Sequence, residues 1–208
     1  SEYESQLLEL GKVIVNFEER RETISRSVIN ICDQEVCESI IDDNLLDEIT
    51  ALCEWPTALL CHFDSEFLSL PKECLILTMQ KHQKYIPLTE KDGTLSNKFI
   101  VITNNAPEDT TRIKLGNERV LRARLNDAHF FFLKDQEKPF IERKDDLSAV
   151  MYHNLLGTLS DRTKRIKSLL IDWAKKINLD TSDCITLADL SKNDLVTLMV
   201  NEFPEQQG

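Results

Sequence analysis

Three arginines, Arg119, Arg122 and Arg124, are interleaved with apolar residues in a chain of 208 residues whose formal net charge is −11. Guanidinium groups bind phosphates bidentately, and two of them one helical turn apart can clamp a phosphate backbone. Arg119 and Arg122 have this spacing, whereas Arg124 lies on a different side of a helix. The stretch therefore predicts either a phosphate-binding surface or ion pairs with acidic residues elsewhere in the chain.

The acidic residues available for such ion pairs are concentrated between residues 33 and 54. This segment holds eight carboxylates and no lysine or arginine. Between Arg112 and Arg124, by contrast, five basic residues accompany a single acid, Glu118. The charge is bipolar, so the acidic total does not exclude a local contact with a polyanion.

A second group of basic and aromatic side chains lies between a predicted helix and a predicted strand. It consists of Lys81, His82, Lys84 and Tyr85. One interpretation is a further nucleic-acid contact, and the other is an ordinary polar helix end. A third basic stretch, from residue 162 to residue 176, alternates with apolar residues and predicts a solvated helix face.

No motif for catalysis or for metal binding is present. The sequence lacks a phosphate-binding glycine loop, a G-x-S-x-G elbow and an H-E-x-x-H pair. The six cysteines form no C-x-x-C pair, and the adjacent Cys61 and His62 would point apart on a strand. We therefore expect no catalytic residue and no structural metal in this chain.

The cellular setting follows from the cysteines and from hydropathy. Scattered cysteines without a framework of pairs predict free thiols, as in a cytoplasmic protein. No run of about 18 apolar residues exists, which predicts no membrane span. The chain lacks an initial Met and opens inside an amphipathic pattern, so we expect a segment excised from a longer polypeptide.

Capping and turn residues predict the order of the elements. Asn16 is expected to begin a helix, and Asn44 and Asn117 are expected to cap two more. The pair Asp92-Gly93 predicts a hairpin between strands at 85–88 and 99–102. Pro87 lacks a backbone donor, so its strand is expected at a sheet edge or at a bulge.

The predicted fold class is α+β: helix-rich, with a small mixed or antiparallel sheet in the first two-thirds and a helical C-terminal third. Residues 1–145 are predicted to form an α+β domain around the sheet, and residues 146–208 a helical region. In the helix predicted from Leu159 to Ile177, the residues expected to face inward are Ile166, Leu169, Leu170 and Trp173.

An ordered series of short motifs carries a resemblance to a known family. The motifs are Glu54-Trp55-Pro56, Phe63-Asp64, Met79-Gln80-Lys81-His82-Gln83-Lys84-Tyr85, Gly116-Asn117-Glu118-Arg119-Val120, Ala123-Arg124-Leu125-Asn126-Asp127-Ala128, Phe131-Phe132, Leu156-Gly157-Thr158-Leu159 and Asp194-Leu195-Val196-Thr197. From about Val13 to Gly208 the chain closely resembles the β subunit of the bacterial, heterotetrameric glycyl-tRNA synthetase. It resembles a middle fragment of that subunit, with residues 146–208 similar to the start of an HD-like domain.

The resemblance implies a division of labour between two subunits. It places the class II active site for glycine and ATP, with its magnesium, on the α subunit, and most of the tRNA binding on the β subunit. The implied partners are the α subunit, in an α2β2 assembly, and tRNA(Gly). The resemblance implies no catalytic residue and no cofactor in this segment. The candidate tRNA contacts are Lys81, His82, Lys84, Tyr85, Arg119, Arg122 and Arg124.

Two hypotheses follow for the segment itself. In the first, it positions tRNA or contacts the α subunit. In the second, it is a structural scaffold between domains and touches no ligand. A continuous basic groove joining Lys81, Lys84, Arg119 and Arg122 would favour the first. Burial of these side chains in ion pairs with Asp42, Asp43 or Asp47 would favour the second.

Overall fold

The computed structural model describes residues 2–105 and 107–208. Tertiary contacts divide the chain into two units, residues 1–127 and 128–208. A division by contacts does not test domain limits, so the limits 1–145 and 146–208 stay a prediction.

The first unit contains a four-stranded sheet and several helices. Its helices are α1 (Glu2–Gln6), α2 (Phe17–Glu35), α3 (Asp43–Leu52) and α4 (Lys72–Leu77). Its strands are β1 (Cys37–Ser39), β2 (Thr57–His62), β3 (Ile86–Glu90) and β4 (Leu95–Thr103). Short π-helical segments, Leu7–Gly11 and Thr78–His82, follow α1 and α4, and a 3-10 segment spans Ser65–Ser69. The long helix α5 (Thr111–Gln136) contributes residues to both units.

The sheet is antiparallel, with the strand order β1-β3-β4-β2. The predicted hairpin is confirmed: Gly93 adopts φ 81°, and the Asp92 carboxylate accepts a hydrogen bond from Thr94 N at 2.9 Å. β3 lies between two strands, so an edge position for Pro87 is wrong. The alternative is correct, because the register shifts between Pro87 and Thr89.

Alternation along the strands builds the main core on one face of the sheet. The buried members are Ile24, Val28, Cys32, Cys37, Leu45, Leu46, Ile49, Cys53, Ile86, Leu88 and Ile100, supplied by α2, α3 and three strands. The opposite face carries Leu59, Cys61 and Phe99, which are also buried. Both faces of this sheet therefore carry buried apolar side chains.

Helix capping is only partly as predicted. Asn16 does begin α2, since its side chain accepts a hydrogen bond from Glu19 N at 3.1 Å. The cap of α3 is Asp42, two residues before the predicted Asn44, and it accepts from Leu45 N at 2.8 Å. Asn117 is not a cap, because α5 already begins at Thr111.

The second unit is helical apart from one small hairpin. Its helices are α6 (Leu159–Lys176), α7 (Thr181–Leu190) and α8 (Leu198–Glu202), with 3-10 segments at Phe140–Ala149, Asn193–Val196 and Pro204–Gln206. The hairpin pairs β5 (Met151–His153) with β6 (Gly157–Thr158). A capping box between Thr158 and Asp161 begins α6. Together the two units confirm the helix-rich α+β fold class.

The inward face predicted for α6 is largely wrong. Leu169 and Trp173 are exposed, the latter to 68%. The buried positions are instead Leu159, Thr163 and Ala174. α7 packs against the side of α6 that carries Lys167, whose ammonium contacts both carboxylate oxygens of Asp189. An amphipathic pattern identifies the apolar stripe of a helix, but it does not say how much of that stripe its own unit covers.

A buried ion pair ties the second unit together. The Arg143 guanidinium contacts the Asp135 carboxylate at 3.0 Å, with side chains only 8% and 12% exposed. The same carboxylate accepts hydrogen bonds from the backbone amides of Leu198 and Met199 at the start of α8. Asp135 thus satisfies a buried cation and two helix-terminal donors at once.

Replacing Asp135 by Ala is expected to lower the free energy of unfolding by about 3–5 kcal/mol, because it leaves the buried Arg143 cation unpaired. Urea unfolding of the purified variant measures this change. The matched control is Glu137→Ala, which breaks the exposed Lys134–Glu137 pair and should cost at most about 1 kcal/mol. Equal losses in the two variants would contradict this account.

Candidate nucleic-acid interface

Helix α5 is attached to the sheet by polar contacts that alternate with apolar ones. The Tyr85 hydroxyl donates a hydrogen bond to Asn117 Oδ1 at 2.8 Å. The carboxylate of Glu118 accepts from the backbone N–H of His62, the last residue of β2, at 2.9 Å. These contacts place one side of α5 against the strands.

Two further features fix the same side of the helix. Leu121 and Leu125 are fully buried. At the flank, Arg122 Nε lies 3.0 Å from Asp64 Oδ2, although both side chains keep about half of their exposure (57% and 49%). A helix held at successive turns cannot rotate about its axis, so the directions of its remaining side chains are determined.

Arg119 points away from this attached side. It lies two residues after Asn117, and successive residues advance by about 100° around a helix. Its side chain is exposed, as is that of Arg124. Within the described residues neither guanidinium has an ion-pair partner. These two arginines are cations presented to solvent from a fixed helix.

The residues 81–85 divide into two pairs. Lys81 and His82 are exposed on the π-helical segment. Lys84 and Tyr85 belong to the helix end: Lys84 N donates to Gln80 O at 3.1 Å, and Tyr85 N donates to Met79 O at 3.0 Å. The Lys84 bond spans four residues and ends the helix as in an αL motif, in which glycine is the usual residue at the position of Lys84.

Lys84 has an unusual backbone and a local ionic partner. It adopts φ 56° in the left-handed region, which costs a non-glycine residue about 1 kcal/mol. Its ammonium lies 2.8 Å from Glu48 Oε1 on α3. This ion pair therefore links the residues just before β3 to helix α3, which belongs to the acidic segment 33–54.

Tyr85 is an interior residue, only 4% exposed. Its ring centroid lies 5.0 Å from that of Phe99, and burial raises the pKa of its phenol to about 12. A ring in this position cannot offer a face for stacking with a base. Its contact with Asn117 nevertheless connects the 81–85 segment to α5.

The acidic segment 33–54 is neutralised mainly by residues other than those of α5. Arg21 contacts Asp43 at 2.5 Å and Asp47 at 2.6 Å. Lys98 on β4 contacts Glu35 at 2.9 Å. The expected ion pairs between the α5 arginines and this segment are not found among the described residues.

The described residues supply no metal-binding cluster. Across residues 2–105 and 107–208, no three His, Cys, Asp or Glu side chains are close enough to hold an ion. The helices of this same part of the chain include none that is long and apolar enough to cross a bilayer.

Comparison with known proteins identifies the family. The model of the glycyl-tRNA synthetase beta subunit family matches residues 1–208. This chain belongs to the glycyl-tRNA synthetase β-subunit family.

Individual relatives agree with this membership. A glycine–tRNA ligase beta subunit from Neisseria meningitidis serogroup C (strain 053442) is 45% identical over 206 residues, 99% of this chain. Those from Delftia acidovorans and Ralstonia nicotianae are 45% and 43% identical over 100% and 99% of the chain. The chain spans 30%, 30% and 29% of the length of these three relatives.

Within this family segment, sequence reasoning missed the residues that attach α5. Asn117 was expected to be a helix cap, and Glu118 and Asp64 were assigned no role. The spacing does indicate a place for Asn117 on the buried face, because Asn117, Leu121 and Leu125 recur every four residues and so share one side of the helix. A polar residue on an otherwise apolar stripe is expected to find a specific partner.

Replacing Tyr85 by Phe is expected to destabilise the protein by about 1–3 kcal/mol, because Asn117 Oδ1 loses its donor in a partly buried setting. The size of this destabilisation should depend on pH. The phenol of the unfolded chain ionises near pH 10, below the folded pKa of about 12. The neutral phenol of Tyr85 therefore makes its full contribution to the free energy of unfolding below about pH 10. This contribution is lost as the pH rises towards about 12.

Urea unfolding of wild type and Tyr85→Phe at several pH values from 8 to 11.5 measures this effect. The difference between the two proteins should shrink above about pH 10. Tyr3→Phe is the matched control, since Tyr3 is 69% exposed and should show no difference at any pH. A constant Tyr85→Phe difference across the range would refute the pH argument.

Proposed function

We propose that this chain is a segment of the β subunit of a cytoplasmic glycine–tRNA ligase and helps to bind and position tRNA(Gly). The family match over residues 1–208 carries this proposal. Arg119 and Arg124, which are exposed and have no ion-pair partner among the described residues, support it at the level of residues. In this role the segment supplies binding energy and orientation, and performs no bond-making step itself.

The proposal assigns the chemistry of the reaction to another polypeptide. The ATP-dependent attachment of glycine, with its ATP and magnesium, takes place on the α subunit, and the two subunits form an α2β2 assembly. The β segment contributes by holding the tRNA so that its acceptor end reaches that site. This division agrees with a segment whose sequence carries no nucleotide-binding motif.

The candidate residues take different parts in this proposal. Arg119 and Arg124, with Lys81 and His82, contact phosphates, because their side chains reach solvent. Tyr85 is buried and belongs to the framework, and Lys84 is held in place by its ion pair with Glu48. Arg122, paired with Asp64 but half exposed, belongs to the framework and borders the phosphate-binding surface.

A structural scaffold is the second candidate function. The Lys84–Glu48 and Arg122–Asp64 ion pairs favour it, since these candidate residues already have partners within the chain. Under this alternative the exposed arginines serve only solubility. The two functions predict different effects of removing these arginines on the salt dependence of tRNA binding.

The double variant Arg119→Ala/Arg124→Ala, in the β subunit assembled with its α subunit, is expected to bind tRNA more weakly. The slope of log affinity against log salt should become shallower by about 1–2, because up to two fewer phosphate contacts release counterions. Its free energy of unfolding should change by less than about 1 kcal/mol. Filter binding across a salt series and urea unfolding measure the two quantities.

The matched control for that experiment is Arg26→Ala/Lys91→Ala, which removes the same charge from exposed positions outside the surface. It should leave the salt slope near the wild-type value. If the Arg119/Arg124 variant keeps the wild-type slope, these arginines do not contact tRNA phosphates and the scaffold function is favoured.

The chain on its own is expected to form no glycyl-adenylate. Pyrophosphate exchange with glycine and ATP, measured on the purified chain and again after addition of the α subunit, tests this. Exchange above background by the chain alone would disprove the assignment of the chemistry to the other subunit.

A further inference from the structure

A cleft in the first unit lies where the end of α3, the end of β4 and the residues before β3 meet. Its volume is about 250 Å³. Leu52, Ile102 and Val101 supply apolar surface, and Gln83, Lys84 and Asn104 supply polar groups. The combination of apolar walls with a few polar groups is the usual character of a small-ligand site.

The apolar wall includes a leucine that the fold itself does not use. Leu52 is the last residue of α3 and is 66% exposed, whereas Ile49, one turn earlier, is 4% exposed. On the other side, Val101 and Ile102 are among the last three residues of β4. A flat, apolar group placed between these side chains would cover Leu52 and remove it from water.

The polar groups of the cleft have free hydrogen-bonding capacity. Asn104 Oδ1 accepts from the backbone amides of Glu54 and Trp55 at 2.7 and 2.8 Å. Both lone pairs of that oxygen are therefore used, while its amide nitrogen has no partner among the described residues. The side-chain amide of Gln83 likewise has no partner within that part of the chain.

Lys84 brings a positive charge to the edge of the same cleft. Its left-handed backbone and its ion pair with Glu48 fix the ammonium with 30% of the side chain exposed. Backbone conformations of this kind are costly for a non-glycine residue and are concentrated at functional sites. The lysine is placed to contact a phosphate attached to a group inside the cleft.

Building on the proposed tRNA function, we propose that this cleft binds one unpaired adenine of an RNA strand. The amide of Gln83 matches the N6 and N7 atoms of adenine, the pairing typical of Gln and Asn with this base. The Asn104 amide nitrogen donates to a second ring nitrogen. The base lies between Leu52 and Ile102, and Lys84 contacts the adjoining phosphate. Unpaired bases are the part of an RNA that proteins read by sequence.

Fluorescence anisotropy with two labelled RNA hexamers tests this inference on the chain itself. One is uridine hexamer, and the other carries a single adenine at its fourth position. The adenine-containing hexamer should bind about tenfold more tightly, the discrimination expected of one bidentate amide contact. Equal binding of the two hexamers, or binding of neither, would overturn the proposal.

Two variants locate the preference in the cleft. Leu52→Trp fills the space and should abolish the adenine preference, and Gln83→Ala should reduce it to about twofold or less. Leu68→Trp is the matched control, because Leu68 is exposed (39%) outside the cleft lining, and it should keep the full preference. Gln83→Ala removes an amide that has no partner in the part of the chain that the structure describes, so this variant still tests the proposal if the tryptophan disturbs folding.

Failure of this inference differs from failure of the proposed function. If Leu52→Trp and Gln83→Ala both retain the preference, the cleft does not bind adenine. The salt slope of tRNA binding by the assembled enzyme then still reports on Arg119 and Arg124. If that slope is unaffected by the arginine variant while the hexamer preference depends on the cleft, the arginine surface alone is wrong.

Discussion

The attachment of one side of α5 to the sheet is the constraint from which the candidate interface follows. Leu121 and Leu125 provide apolar contact, and the hydrogen bonds of Asn117 and Glu118 fix the rotation of the helix about its axis. Apolar burial alone is non-directional and would tolerate a rotated helix. Hydrogen bonds require particular distances and angles, so they select one orientation.

This orientation separates residues that are close neighbours in sequence. Asn117 and Glu118 face the strands, whereas Arg119 faces solvent. A single run of polar residues thus combines structural and candidate binding side chains, and their charge does not distinguish them. Substituting the whole run would damage the fold and the interface together, whereas single substitutions separate the two effects.

Local signals in the sequence predicted those parts of the fold that depend on local physics. Asn16 begins α2 because a capping side chain acts over three residues, and Asp92-Gly93 makes its turn through a glycine with positive φ. The exposed side of α6 could not be predicted in this way, since it depends on which neighbours pack against Trp173. The same limit applies to Arg122, whose partner Asp64 is 58 residues away in sequence.

The candidate site was predictable in composition but not in arrangement. The sequence identified the basic residues and left two interpretations of each cluster open. Only the three-dimensional contacts distinguish Lys84, with a carboxylate at 2.8 Å, from Arg119, which is exposed on the opposite side of α5 from Asn117. The cleft beside Leu52 had no signal at all, because its lining comes from segments far apart in the chain.

The exposure of Trp173 has a spectroscopic consequence. The chain has only two tryptophans. Trp173 is the one that is largely exposed, as are Leu169 one turn earlier on α6 and Ile177 just after the end of that helix. Its indole emission is therefore red-shifted in the chain by itself. Any polypeptide that covers this stripe of α6 shifts the emission to shorter wavelength, so the protein carries an intrinsic reporter of contacts made by its second unit.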